Sequence, residues 1–175
     1  MSNIIRLYPQ HKNTDEWLSM SNGGTSVFIS VLVLSGSRMA SNQREKELVV
    51  WLAEHDQGVV GIGTVGFDIS EIPWTKENFK QEKDFMLKVI EGALSKIGWD
   101  MLSYTPNEEF IQYYLSKFKE LIRDFEEQYI DSSSYTEWIE LIDDESCGIP
   151  KGFPKCPIHD IFLHFGGCVV CNEAR

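Results

Sequence analysis

The chain has 175 residues, an apolar share of 42% and a formal net charge of −11, which fits a globular protein with one hydrophobic core and excludes a disordered one. So acidic a chain argues against binding nucleic acid or an anionic membrane, because both are met with lysine and arginine. The opening Met1-Ser2-Asn3-Ile4-Ile5-Arg6 lacks the basic start and apolar block of a secretory signal, and the longest apolar run, near Val31-Leu32-Val33-Leu34, is too short for a bilayer. A cytoplasmic location is expected. Thiols stay reduced there, so the four cysteines point to metal ahead of disulfides.

In chain order, Ile4 to Tyr8 reads as a first strand ended by Pro9, and Asp15-Glu16-Trp17-Leu18 as one helical turn. Asn22-Gly23-Gly24 is a turn signal. Val27 to Leu34 is a β-branched apolar run, the best strand in the chain and expected at the centre of its sheet, with Ser35-Gly36-Ser37 breaking it. Ser41 can cap a helix from Asn42 to about Asp56, with Leu48, Trp51, Leu52 and His55 on one side and Gly58 as its stop; Glu47 to Ala53 also suits a strand. Val59 to Ile69 reads as extended and contains Gly61-Ile62-Gly63-Thr64-Val65-Gly66, formally the G-x-G-x-x-G of dinucleotide sites. That motif needs a helix opening directly behind it, and Phe67-Asp68-Ile69-Ser70-Glu71-Ile72-Pro73 cannot supply one. The glycines are read instead as bends or points of close backbone approach.

Thr75 is placed to cap a long helix, Lys76 to Ile97, with Phe79, Met86, Val89, Ile90, Leu94 and Ile97 facing the core and Gly98 as its stop. Trp99 to Tyr104 reads as a short extended link or strand. Thr105-Pro106-Asn107-Glu108 is a strong helix start, and the helix should reach about Tyr129, burying Phe110, Tyr114, Phe118, Leu121, Ile122 and Phe125. Ser132-Ser133-Ser134 separates it from a short helix at Thr136 to Leu141, and Asp143 to Lys155 reads as a linker. The fold class is therefore α+β, with a small early sheet packed by two long helices. Residues 1–145 form the main domain, and residues 146–175 a zinc-binding β-hairpin on the same core.

The tail carries the most specific signal. Cys156-Pro157-Ile158-His159 and Cys168-Val169-Val170-Cys171 are two knuckles with two-residue spacers, a spacing that turns both side chains of each onto one ion. Cys156, His159, Cys168 and Cys171 are the expected ligands of a structural Zn²⁺, with His164 the rival to His159 and Cys147 a rival for any one thiolate. Asp160 to Phe165 can form one hairpin arm and Gly166-Gly167 the turn into the second knuckle. The bland alternative is a set of buried cysteines without metal. Four protein ligands leave no open coordination position, so the site is expected to fold the tail and not to hydrolyse anything.

These residues resemble the C-P-x-H…G-C-x-x-C zinc hairpins of treble-clef and zinc-ribbon modules, phage-type nucleases among them, over about sixteen residues. A treble clef continues from its second knuckle into a helix that often carries function, whereas here only Asn172-Glu173-Ala174-Arg175 follow, and no activity is carried over. More loosely, Gly66-Phe67-Asp68-Ile69 into Pro73-Trp74, with the two long helices, resembles the small acidic immunity proteins of bacterial polymorphic toxin systems. That resemblance implies a cytosolic protein that binds and blocks one toxin domain.

Between Asp124 and Pro150 there is no lysine or arginine, while Asp124, Glu126, Glu127, Asp131, Glu137, Glu140, Asp143, Asp144 and Glu145 are acidic. Such a block either solvates a face or steers a basic partner, and Asp143, Asp144 and Glu145 are the candidate partner-binding residues. The expected function is non-enzymatic binding of a protein with a basic surface. The alternative is a small-molecule enzyme with a pocket near residues 61–66 and Asp68 and Glu71, the best non-metal polar candidates. A nucleic-acid adaptor would need a basic patch from Lys151, Lys155 and Arg175. His11 and His55 stand isolated, and His55 reads as a capping or interface histidine.

Overall fold

The apolar run Val27 to Leu34 is the middle of a helix. Helix α1 spans Asn22–Met39, and Ser21 caps it by accepting the Gly24 N–H at 3.1 Å. Every residue from Phe28 to Ser37 is buried. A helix covered on all sides has no polar stripe, and a short β-branched run without periodicity is indistinguishable from a strand. The expected turn at Asn22-Gly23-Gly24 is the first turn of α1, and Ser35-Gly36-Ser37 lies within it. Those small residues permit close packing: a Cβ on Gly36 would lie 2.7 Å from Val49 Cγ2.

The computed structural model describes residues 3–8 and 16–173; Pro9, His11, Asp15 and Arg175 lie outside them. The fold is α+β. Among the described residues, β1 (Asn3–Arg6), β2 (Trp17–Met20) and β3 (Phe67–Asp68) form one sheet in the order β2-β1-β3. Ile5 stands opposite Leu18 in the antiparallel pair and opposite Phe67 in the parallel one. Trp17-Leu18 therefore belongs to a strand and not to a helical turn.

The remaining helices are α2 (Gln43–Ala53), α3 (Gln57–Val60), α4 (Phe79–Leu94), α5 (Glu108–Asp124), α6 (Ser132–Asp143) and α7 (Val169–Glu173). Asn42 caps α2, one residue after Ser41, and α2 stops at Ala53; Gly58 belongs to α3. The stretch 59–69 is extended only at Phe67–Asp68. Gly61 and Gly63 take φ of +112° and +78°, and a Cβ on Gly66 would lie 2.8 Å from Ile4 O, so the glycines make turns and a close approach.

Helix α4 starts at Phe79 because Thr75 is occupied elsewhere. Its N–H and Oγ1 donate to Glu82 Oε1 at 2.7 and 3.0 Å, within a buried cluster where Arg44 pairs with Glu47 and Glu82. Trp99–Met101 is a 3₁₀ turn, not a strand. Helix α5 is capped by Asn107 and ends at Asp124, short of Tyr129. Tyr114, Phe118, Leu121, Ile122 and Phe125 are buried as expected, but Phe110 is 58% exposed. The serines at 132–134 open α6, with Asp131 as its cap, and do not separate it from anything. Residues 145–147 form a 3₁₀ turn within the expected linker.

Gly98 closes the α4 segment at φ +86°, and a Cβ there would lie 2.8 Å from Leu34 Cβ of α1. Gly98→Ala should therefore cost about 2 kcal/mol by urea denaturation, from left-handed strain plus the clash. Gly23→Ala, with open space around it in the first turn of α1, should be neutral or slightly stabilising.

Candidate metal centre

The first knuckle is a closed turn: the Cys156 N–H donates to Ile161 O at 2.8 Å, and the Asp160 N–H to Cys156 O at 2.9 Å. The chain returns along itself through an antiparallel bridge between Lys155 and Phe162, then turns at Gly166-Gly167 between His164 and Gly167. The expected hairpin arms are thus reduced to single bridges. The second knuckle opens α7, where the Asn172 N–H donates to Cys168 O at 2.9 Å. A short helix therefore does follow the second knuckle.

This path brings Cys156, His159, Cys168 and Cys171 together, their ligand atoms all within 4.8 Å of one another. His159 Nδ1 lies 3.7, 3.5 and 3.4 Å from the sulfurs of Cys156, Cys168 and Cys171, and the sulfurs of Cys156 and Cys171 are 3.8 Å apart. Metal–sulfur bonds of about 2.3 Å and a metal–nitrogen bond of about 2.1 Å give tetrahedral edges of roughly 3.6 to 3.8 Å. The four groups could hold a metal ion, and these four separations are close to the edges of a tetrahedral shell.

Backbone dipoles support the same reading. The N–H groups of His159 and Ile158 face the Cys156 sulfur, and those of Cys171 and Val170 face the Cys168 sulfur. Burial acts to raise the Cys156 thiol, but these N–H groups and the neighbouring thiols outweigh it and hold it below the usual range. Burial pushes the Cys168 thiol up to about 12. Without a cation, one thiolate is favoured at the expense of its neighbour. A divalent ion removes that conflict by favouring the thiolate at every cysteine.

The two rival ligands are engaged elsewhere. His164 is buried, its Nδ1 accepts the Gly166 N–H at 3.0 Å, and its Nε2 meets Asp56 Oδ2 at 2.9 Å. The ring proton is therefore on Nε2, donated to the carboxylate. Cys147 lies in the 3₁₀ turn, with its Sγ against Asp144 Oδ2 at 3.5 Å.

Sequence reasoning missed the polar network that seats the tail. Asp56 also accepts from Asn172 Nδ2 at 2.9 Å and from the Gly58 N–H at 2.9 Å. Ser30 of α1 donates to Glu173 Oε2 at 2.9 Å, and Tyr104 donates to the other oxygen of Glu173. Ser37 of α1 accepts the Phe162 N–H on its Oγ and Lys155 Nζ on its carbonyl, both at 3.1 Å. The one signal in the sequence was the serine spacing along an otherwise apolar run.

The other predicted residues are not brought to this centre. Asp68 and Glu71 stand side by side on the outer face of the sheet, where the Asp68 N–H donates to Glu71 Oε2 at 2.5 Å. Asp143, Asp144 and Glu145 are exposed at the end of α6 and in the turn after it. The Asp144 carboxylate accepts from Ser146 Oγ and N–H at 2.7 and 2.8 Å, which holds it below the usual carboxylate range. His55 packs between Trp51 and Phe67, with Nδ1 2.8 Å from Trp51 O; burial holds its pKa down. No family description, no curated protein and no solved structure matches the chain.

Purified protein should contain about one metal ion per chain by elemental analysis, and Cys168→Ser should lower both metal content and the stability of the tail. Burial acts to raise the Asp56 carboxyl, but hydrogen bonds from His164, Asn172 and Gly58 outweigh it and leave it below the usual range. Its contribution is therefore complete above the unfolded carboxylate range, about pH 4, and is lost as pH falls toward the lower folded value. Asp56→Asn should flatten the acid limb of stability against pH, and His164→Ala should cost about 3 kcal/mol near neutrality by leaving a buried carboxylate short of a donor.

Proposed function

We propose that this chain is a zinc-stabilised binding protein that recognises a basic protein surface and performs no chemistry of its own. A toxin-neutralising immunity protein is the class this reading fits. Zinc is the metal favoured by the donor set, because three thiols and one imidazole at tetrahedral spacing suit a borderline-soft ion without geometric preference. Its role would be structural, since four protein ligands leave no coordination position for a substrate.

The observation that carries the binding role is the display of the acidic segment. All nine acidic residues from Asp124 to Glu145 are exposed. Among the described residues only Asp124 of the nine is in an ion pair, with its neighbour Arg123. Helix α6 is nonetheless held firmly: Trp138 is buried, Ser134 Oγ donates to Ser70 O at 3.1 Å, and Tyr135 lies 5.0 Å from the Arg44 guanidinium. Lys151 is the cation that acts on Asp144, and it donates to the Asp143 carbonyl at 3.3 Å. A rigid helix presenting carboxylates mostly outside ion pairs is suited to a cationic cleft, where it would take the place of phosphate.

One observation favours a second reading, a small-molecule enzyme: Asp68 and Glu71 line a cavity of about 380 Å³ with Arg6 and the glycine-rich loop. The two readings part on which carboxylates matter to function, those of α6 or those of the cavity. The first is tested by retrieving the partner from the native cell and measuring association kinetics at low and high salt. Replacing Asp143, Asp144 and Glu145 by Asn, Asn and Gln should slow association by about tenfold and flatten its salt dependence while leaving dissociation nearly unchanged. Unchanged association at low salt would remove the acidic segment from the interface.

A further inference from the structure

Strand β2 is an edge of the sheet, paired on one side only in the order β2-β1-β3. The Leu7 N–H donates to Glu16 O at 3.0 Å, which sets the alternation of the antiparallel ladder. Glu16, Leu18 and Met20 turn their backbone groups toward β1, and Trp17 and Ser19 turn theirs away from it. Among the described residues nothing donates to or accepts from the outward N–H and C=O groups of Trp17 and Ser19. Both residues are exposed, Trp17 by 53%. Edges are commonly blunted by a lysine, a proline or a bulge, and Trp17-Leu18-Ser19-Met20 carries none of these in its unbroken register.

The edge runs into an apolar pocket. The next outward N–H, that of Ser21, donates to Tyr114 Oη of α5 at 3.3 Å, so the free edge stops there. At this point a cavity of about 320 Å³ opens between the N-terminal turns of α1 and α5. Ser21, Gly23, Gly24 and Val27 line one side and Phe110, Ile111 and Tyr114 the other, with no charged side chain in its walls. Tyr114 reaches this rim because position 24 is glycine, whose missing Cβ would lie 2.5 Å from the Tyr114 ring. Phe110 is 58% exposed, and Tyr113, its ring 6.1 Å from that of Tyr114, is 62% exposed. A free strand edge and an uncovered aromatic pocket are therefore contiguous.

We propose that the β2 edge and this pocket together hold an extended segment of a partner polypeptide, which adds a strand beside β2 and lodges one large apolar side chain between α1 and α5. Main-chain hydrogen bonds to Trp17 and Ser19 supply the pairing, and the pocket selects the side chain. The occupant is a net-basic segment and not a second copy. A chain of net charge −11 repels itself, and carboxylates stand at both ends of the site, Glu16 before β2 and Glu109 beside Phe110. Arg6, opposite Trp17 in β1, faces Asp68 at 3.9 Å, and Lys96 pairs with Glu108. The inference stands on the edge and the pocket and does not require α6 to take part.

The test is an amide-resolved NMR titration of the full-length protein with the acetylated, amidated peptide Lys-Thr-Val-Phe-Val-Thr-Lys. Its central Phe leaves an arm for β2 in either strand direction, and three residues, about 10 Å, span Trp17 to Ser19. Saturable shifts at Trp17, Ser19, Gly23, Gly24 and Phe110 are expected, with slowed hydrogen exchange at the first two and a dissociation constant on the order of 0.1 mM. Replacing the peptide's Phe by Ala should weaken binding at least about tenfold, through loss of the buried ring. N-methylation of the two Val residues should differ sharply from N-methylation of the two Thr residues: one pair abolishes binding and the other leaves it nearly unchanged, because only alternate amides of a strand face its neighbour. Ser19→Pro removes an outward N–H that has no partner in the free protein, so it should abolish binding with the fold intact. Phe110→Ala, at an exposed position, should weaken binding severalfold and keeps the proposal falsifiable if Ser19→Pro misfolds. The absence of saturable shifts at Trp17 and Ser19, or equal effects of the two N-methylated pairs, would overturn the proposal. Protection of those two amides in the free protein would overturn it as well, assigning the edge to a second copy if it rises with protein concentration and to residues 9–15 of the same chain if it does not.

Discussion

The structure depends on the burial of the middle of α1, from Phe28 to Ser37. A helix whose surface from Phe28 to Ser37 is wholly inaccessible must be covered on every side, and the rest of the fold supplies the cover. Helices α2, α4 and α5 each pack against α1, with Gly36 at the α2 crossing and Gly92 of α4 against Ser35 and Met39. The remaining side is closed by the C-terminal segment, through α7 and the hydrogen bonds to Ser30 and Ser37. That segment contributes only a few large apolar side chains, chiefly Ile161, Phe162, Val169 and Val170. So small a hydrophobic contribution is weak compensation for the entropy of ordering the tail, and a metal ion held by the Cys/His cluster would supply the missing constraint.

The cluster and the Asp56 network divide this work. The cluster fixes the two knuckles to each other, and Asp56 fixes the tail to the end of α2 through His164 and Asn172. Asn172 directly follows Cys171, so the geometry of the cluster and that of the network are set by adjacent residues of one short helix. Loss of either anchor should loosen the cover over Ser30 and Ser37 of α1. The surface proposed for function, along α6, lies elsewhere on the molecule, and its shape depends on the core that the tail closes.

Legibility in the sequence followed the range of each interaction. The Cys/His cluster was readable because its four groups lie within sixteen residues and each knuckle is a local turn. Helices α2, α4 and α5 were readable from 3.6-residue periodicity and polar helix starts, although Asn42 and not Ser41 caps α2, and α4 begins behind Asn78, three residues past Thr75, without a side-chain cap bond. Helix α1 was misread because burial on all sides erased the period that separates helix from strand. The Asp56–His164 pair joins residues 108 positions apart, and nothing local marks either as a partner of the other. Phe110 fell at a core spacing and stands exposed, since position in a helical pattern selects a face but not what covers it.

On the proposed reading, a metal ion in the Cys/His cluster is the clasp of this cover. Hydrogen exchange on the full-length protein, with and without a strong chelator, tests this most directly. Metal removal should collapse protection at the amides of Phe162, Leu163, His164 and Asn172 while those in the middle of α4 and α5 stay slow. Unchanged protection of the four tail amides after complete metal removal would contradict the clasp.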